Sequence, residues 1–245
     1  MNIKKAEIIS LSKVDSTNFE AQRILKKERI SSPLWIIADE QTKGKGRSGK
    51  KWISNKGNLF ASLILPISFN VKNLPMLSCV IALATHECLN YFLGQNEHLK
   101  IKWPNDILFE DSKLSGILIE NLLSAESNYS IVGVGVNVNS SPLKLDHLTT
   151  SLKSIVGKAI DIKSVLNQLS ISLDKYISNL ENEELDNLIK DFILKSWRFN
   201  KEVQFVIGKN ICKGRILSIS NNFEIEIITN NGIKKFNSGE LSFKY

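Results

Sequence analysis

Two short apolar runs, L-W-I-I-A at 34–38 and L-F-A-S-L-I-L at 59–65, flank the stretch Gln41–Trp52, Q-T-K-G-K-G-R-S-G-K-K-W. Apolar runs of this length bounded by turn residues read as buried strands. Two core strands joined by a long polar connection constrain the fold strongly. Long connections of this kind are uncommon inside compact domains, and they are where binding residues tend to sit. The connection carries Lys43, Lys45, Arg47, Lys50 and Lys51 with no acid, and Gly44, Gly46 and Gly49 are threaded between them. Glycine lets the backbone turn tightly and expose its N–H groups, and the cations supply counter-charge for an anion. By letter the stretch spells both G-x-G-x-x-G and the start of a phosphate-binding P-loop. Both motifs must open directly into a helix. Here W-I-S-N-K-G-N and then a strand follow, and Lys51 stands where a P-loop needs Ser or Thr. Neither dinucleotide nor P-loop chemistry fits, which leaves another kind of anion-covering loop or a solvated basic surface.

The remaining chain alternates strand and helix signals. A short strand is expected at 6–11. Asp15-Ser16-Thr17-Asn18 then offers a run of helix-capping residues before a helix begins. Residues 75–93 predict a helix apolar around most of its girth, hence buried, with Pro75 in its first turn and Gly94 at its end. His86 within it is expected to be a packed histidine. Leu99, Ile101 and Trp103 alternate with Lys100 and Lys102 as in a half-buried strand, and Pro104-Asn105-Asp106 turns the chain. Two more strands follow; the second contains Gly133 and Gly135, which mark a bulge or something lying close against the backbone. Helices are predicted over 161–180, capped by Asp161, and over 182–196, with Glu183, Glu184 and Asp186 early, where the helix dipole favours acids. After Trp197 the texture changes to short strands separated by S-N-N and N-N-G turns, a small antiparallel barrel. The expected organisation is residues 1–196 as one domain and 197–245 as a second.

A formal charge of +7 points to anionic ligands or partners without selecting nucleic acid. Cys79, Cys88 and Cys212 and the three histidines lack metal-ligand spacing, so neither a zinc site nor a disulfide framework is expected. The N-terminus lacks a signal-peptide pattern and no run reads as a membrane span, so a cytoplasmic protein is expected.

Lys102-Trp103-Pro104-Asn105-Asp106, followed by Lys113-Leu114-Ser115-Gly116-Ile117-Leu118, resembles the core motif of the biotin protein ligases (biotin–[acetyl-CoA-carboxylase] ligases). The basic loop resembles that family's biotinyl-adenylate loop, Asp15–Asn18 its biotin-contacting segment and Gly133–Asn137 its nucleotide-side strand. All four blocks occur in the family's order and spacing, from about residue 10 onward. The resemblance implies an α+β fold: a catalytic domain like the class II aminoacyl-tRNA synthetases, with a mixed sheet flanked by helices, and a C-terminal SH3-like barrel. It implies that biotin and ATP, with Mg²⁺, form biotinyl-5′-AMP, and that biotin passes to a lysine of a biotin carboxyl carrier protein.

The same resemblance assigns residues. Lys102 and Arg47 are the catalytic candidates, with Lys102 set between the biotin carboxylate and the α-phosphate. Ser16, Thr17, Asn18, Gln41, Gly44, Lys45, Gly46, Arg47, Lys102 and Gly116 are expected around biotin. Lys45, Arg47, Trp52, Asn105, Asp106 and Asn137 are expected around ATP or the adenylate. Asn137 would read adenine through its amide, and Trp52 would stack on adenine or the closed loop. No protein-borne metal site is implied. Lys45 and Ser48 depart from the arginines common in the family's loop, which puts retention of the adenylate in doubt. The motifs begin by residue 15, so no DNA-binding segment is expected before them, and a homodimer is allowed but no interface can be read. The competing readings are a lipoate or octanoate ligase of the same fold and a non-catalytic binder of biotin or a nucleotide.

Overall fold

The computed structural model describes residues 2–125, 127–142, 147–207, 210–237 and 240–242. Its centre is a seven-stranded mixed sheet in the order β1-β2-β3-β7-β6-β5-β4. The strands are β1 (Glu7–Leu11), β2 (Leu34–Ala38), β3 (Leu59–Pro66), β4 (Leu99–Lys102), β5 (Asp106–Phe109), β6 (Ser112–Leu123) and β7 (Asn128–Val136). Strands β1 and β2 pair in parallel, and every other pairing is antiparallel. The two apolar runs that flank the basic loop are thus adjacent strands, with Ile36 opposite Ser62.

The faces of the sheet are covered unequally. On one face lie α2 (Leu77–Leu93), α4 (Ile162–Glu181) and α5 (Leu185–Lys195), over a core that includes Leu63, Leu65, Val132 and Val134. α2 is buried on nearly every side, as its sequence demands, and Gly94 ends it in the left-handed conformation (φ 69°). Pro75 lies in a 3-10 turn just before α2. The combined segment Val71–Leu93 is long and apolar enough to cross a membrane by composition, contrary to the sequence reading. Tertiary packing accounts for it instead, since most of it is enclosed between sheet and α4. α5 begins at Leu185 rather than at 182: Glu183 adopts φ 58° and α4 runs on to Glu181, so only Asp186 lies in the first turn.

On the opposite face α1 (Thr17–Leu25) covers only one end of the sheet, packing Ala21 and Ile24 on Ile36, Ile64 and Ile131. The neighbouring area, nearer the basic loop, is left without a helix. A short helix α3 (Leu152–Val156) follows β7.

The C-terminal segment forms a five-stranded antiparallel sheet, order β11-β10-β9-β8-β12, from β8 (Glu202–Ile207), β9 (Asn210–Ile219), β10 (Ile225–Thr229), β11 (Gly232–Phe236) and β12 (Glu240–Ser242). It shares its core with the main sheet. The Phe223 ring meets Phe192 edge-on at 5.0 Å, and the Trp103 indole N–H donates to the Phe223 carbonyl at 3.2 Å.

Candidate active site

The uncovered area is a trough made by missing side chains. Across the sheet Phe60, Gly135 and Gly116 stand in one row, and Ser62, Gly133 and Leu118 in the next. Neither Gly133 nor Gly135 sits at a register shift, so they mark no bulge. A Cβ on Gly133 would lie 2.4 Å from Asn18 Oδ1, and one on Gly135 2.5 Å from the Trp52 ring. These glycines let side chains from α1 and the loop descend onto the backbone. The resulting cavity holds about 60 Å³, with the Trp52 indole reaching over both Gly135 and Gly116. The buried Trp52 Nε1 has no hydrogen-bond partner.

Asp15–Asn18 does more than start a helix. Ser16 is the N-cap, but its side chain makes no capping hydrogen bond. Asp15 turns outward to Arg23, whose guanidinium holds its carboxyl down to about 2. Thr17 donates its backbone N–H to Gln41 Oε1 at 2.9 Å, and Gln41 Nε2 donates to Ser54 Oγ at 3.0 Å. Ser62 Oγ lies 2.7 Å from Thr17 Oγ1 and 2.6 Å from Asn18 Oδ1. Asn18 Nδ2 donates to Glu120 Oε2 at 2.8 Å, and Lys45 Nζ reaches Glu120 Oε1 at 2.6 Å. Ser16, Thr17, Asn18 and Ser62 are all buried. This end of the trough is a dense hydrogen-bonding pole drawn from α1, the loop, β3 and β6.

The other end is cationic. Arg47 Nη1 donates to Asn105 Oδ1 at 3.0 Å, and Asn105 Nδ2 donates to the Ile117 carbonyl at 2.7 Å. Lys113 lines the cavity, lies 5.6 Å from the Trp52 ring and pairs with Asp106 at 2.8 Å. Partial burial, and next the charge of Lys113, hold His147 below its ordinary value, with Lys102 and Lys50 adding to the same field. The loop itself is tied down: Lys43 N–H donates to Asp15 O at 2.7 Å, Gly46 N–H to Lys50 O at 2.7 Å and Trp52 N–H to Gly44 O at 3.0 Å. Ser48 adopts a left-handed φ of 51°, a conformation that favours glycine.

Ser16, Thr17, Asn18, Gln41, Lys45, Gly46, Arg47, Trp52, Asn105 and Gly116, all singled out in the sequence, therefore meet around one cavity. Gly44 supports it from behind: a Cβ there would lie 2.3 Å from the Trp52 carbonyl oxygen. Lys102 stands outside the lining, its ammonium 5.5 Å from the Trp197 ring centre and its backbone in register with Asp106. Asn137 is not among the residues lining the cavity. It is buried, and its Nδ2 donates to the Lys113 and Thr150 carbonyls at 3.3 and 3.0 Å. Lys113, Ser62 and Glu120 were missed as site residues; only the K-L-S-G-I-L-I-E run, which puts Lys113 and Glu120 on the strand beside Gly116, hinted at two of them.

A mixed sheet with a bare trough, a hydrogen-bonding pole and a cationic mouth defines a binding site for a small ligand with a polar head and an anionic tail. Residues 11–137 match the biotin/lipoate A/B protein ligase family, and the chain belongs to it. A biotin–[acetyl-CoA-carboxylase] ligase of Paracoccus denitrificans is 37% identical over 70% of this chain and 73% of its own length. A bifunctional ligase/repressor of Bacillus subtilis is 29% identical, over 84% of this chain and 65% of the relative. The crystal structure of an Aquifex aeolicus biotin protein ligase with biotin and ATP superposes with a TM-score of 0.80 at 32% identity, covering 96% of this chain and 97% of that one.

Proposed function

We propose that this protein is an ATP-dependent biotin ligase that makes biotinyl-5′-AMP and passes biotin to a lysine of a carboxyl carrier protein. The observation that carries the reading is the polarity of the trough. Its closed end offers Ser16, Thr17, Asn18, Gln41 and Ser62 to a ureido head. Phe60 and Leu118 line its middle, and Arg47 and Lys113 ring the end where a carboxylate would meet a phosphate. In the first step a biotin carboxylate oxygen bonds to the α-phosphorus and pyrophosphate leaves. In the second, a neutral lysine amine bonds to the acyl carbon, AMP leaves and the amine proton passes to solvent. Bringing two anions together requires fixed positive charge and in-line positioning. Lys102, at the end of β4 and in register with Asp106, is assigned that charge, a compact cation on a long flexible stem. The backbone from Lys45 to Arg47 covers the tail and the acyl-phosphate.

Among the described residues no group of three or more His, Cys, Asp or Glu could hold a metal. Mg²⁺ in such a site rides mainly on the substrate phosphates and takes one or two carboxylates. Asp106 is the carboxylate that would take it, in exchange for the present ion pair of its buried Oδ1 with Lys113 at 2.8 Å. The ion, when bound, neutralises phosphate charge.

A second cavity of about 370 Å³ shares Arg47, Asn105, Ile117 and Leu118 with the first, and is closed on its far side by Asn222, Phe223 and Glu224. It is the proposed route of the acceptor lysine, which gives the C-terminal sheet, read as an SH3-like barrel beside a class II synthetase-like domain, a part in acceptor binding. The macromolecular partner is thus a carrier protein rather than DNA, in a cytoplasmic setting that supplies ATP. The test is incubation with biotin, ATP and Mg²⁺, with mass spectrometry for biotinyl-AMP. Adenylate from lipoate but not from biotin defeats the reading.

A further inference from the structure

Glu120 has no role in the resemblance to the ligases, yet it touches two of the site's residues from different elements. Its carboxylate accepts from Asn18 Nδ2 at 2.8 Å through one oxygen and from Lys45 Nζ at 2.6 Å through the other. The residue extends from β6 on the α1 face of the sheet, where its register partner is the buried Ile131. An ionised carboxylate is acceptor-only. Its presence therefore dictates which way the Asn18 amide faces, since a flipped amide would set Oδ1 against the carboxylate.

That orientation propagates. With Nδ2 toward Glu120, Asn18 Oδ1 must face Ser62 Oγ, 2.6 Å away. The close contacts Asn18 Oδ1–Ser62 Oγ, Ser62 Oγ–Thr17 Oγ1 and Thr17 Oγ1–Gln41 Oε1 (2.6, 2.7 and 3.1 Å) then share only two hydroxyl protons. The Gln41 amide is fixed from the other side by the Thr17 backbone N–H. The pole is left one donor short, and so poised to take an N–H from a ligand. We propose that Glu120 is a positioning residue. It sets the polarity of the hydrogen-bonding pole through Asn18 and anchors the basic loop over the site through Lys45. This rests on the biotin ligase reading and adds how the urea-recognising end is kept acceptor-rich.

The isosteric Glu120→Gln removes the dictate, because a side-chain amide accepts either orientation of Asn18. The measurement is steady-state adenylate formation by full-length protein, with KM taken separately for biotin and for ATP, and a thermal midpoint for each variant. Glu120→Gln is expected to raise biotin KM by about 10- to 100-fold, the span of a lost hydrogen bond to a charged group. ATP KM stays within about twofold. In an Asn18→Ala background the same change should move biotin KM by clearly less, because the route through Asn18 is already cut and only the Lys45 contact remains to be lost. An unchanged biotin KM in Glu120→Gln overturns the proposal. So does an equal effect in both backgrounds, or a fall in kcat and thermal midpoint with both KM values raised alike, which is the mark of a structural residue. Absence of biotinyl-AMP from the unmodified protein would instead defeat the ligase reading beneath it.

Discussion

Gly133→Ala isolates the price of filling the trough. The new Cβ would sit 2.4 Å from Asn18 Oδ1, closer than real contacts allow, and 3.1 Å from its Cγ, tighter than most. Asn18 is 4% exposed and held by Ser62 and Glu120, so it can give way only into the ligand cavity, at the loss of both bonds. Displacing it breaks one neutral hydrogen bond and one to a carboxylate, about 2.5–4 kcal/mol together. Replacing a strand glycine by alanine returns about 0.5–1 kcal/mol of chain entropy. The net cost is about 1.5–3.5 kcal/mol, or a thermal midpoint lower by about 3–14 °C for a chain of this size. Gly135→Ala provides the internal comparison. The nearest atoms to its Cβ are those of the Trp52 ring, which belongs to a partly exposed loop side chain that can swing outward. It should therefore cost little stability. The assay pairs thermal melts with biotin titrations of adenylate formation. Gly133→Ala is expected to lose both stability and biotin affinity. A Gly133→Ala protein with an unchanged midpoint and unchanged biotin KM would refute the argument, since it would mean that Asn18 relocates freely.

Lys102→Ala should lower adenylate formation by at least about 100-fold while leaving the fold intact, read by pyrophosphate release and thermal melts. Arg47→Gly removes the bond to Asn105 and is expected to keep making adenylate but release it, seen as biotinylation of added bystander protein. His86 is buried in α2, and burial brings its pKa down to about 4. The unfolded chain, with histidine near 6.5, binds the proton more readily. Stability from this group is therefore complete above about pH 6.5 and declines progressively from there to about pH 4, by about 3 kcal/mol in all. Urea unfolding across that range should show the slope in the unmodified protein and a shallower one in His86→Gln.

Much of the fold is readable from local pattern. The two apolar runs at 34–38 and 59–65 alternate or saturate as strands must, Gly94 terminates α2, and Asp161 caps α4 by accepting from Ser164 N–H. The buried stripe Val165, Leu166, Leu169, Leu173 and Ile177 follows directly from helical spacing. Where competing local signals coexist, the pattern falls short. The acids at 183–184 suit a helix start, but α4 overruns to Glu181 and the turn consumes them.

The site divides the same way. Residue types around the trough were legible because the loop, Asp15–Asn18 and Lys102–Asp106 are compact blocks of unusual composition. Their partners were not. Asn18 meets Glu120 across 102 residues and Lys45 meets it across 75, separations at which no periodicity or propensity acts. The surroundings of Asn137 were hidden for the same reason, because the carbonyls that take its amide protons belong to Lys113 and Thr150. Sequence by itself determined that a basic, glycine-rich loop joins two buried strands and that the chain can handle an anion. Only the tertiary structure decided where Gly133 and Gly135 clear a floor for Asn18 and Trp52. Chain composition sets which groups are available, whereas hydrogen-bond direction and close approach depend on the sheet register that brings distant strands side by side.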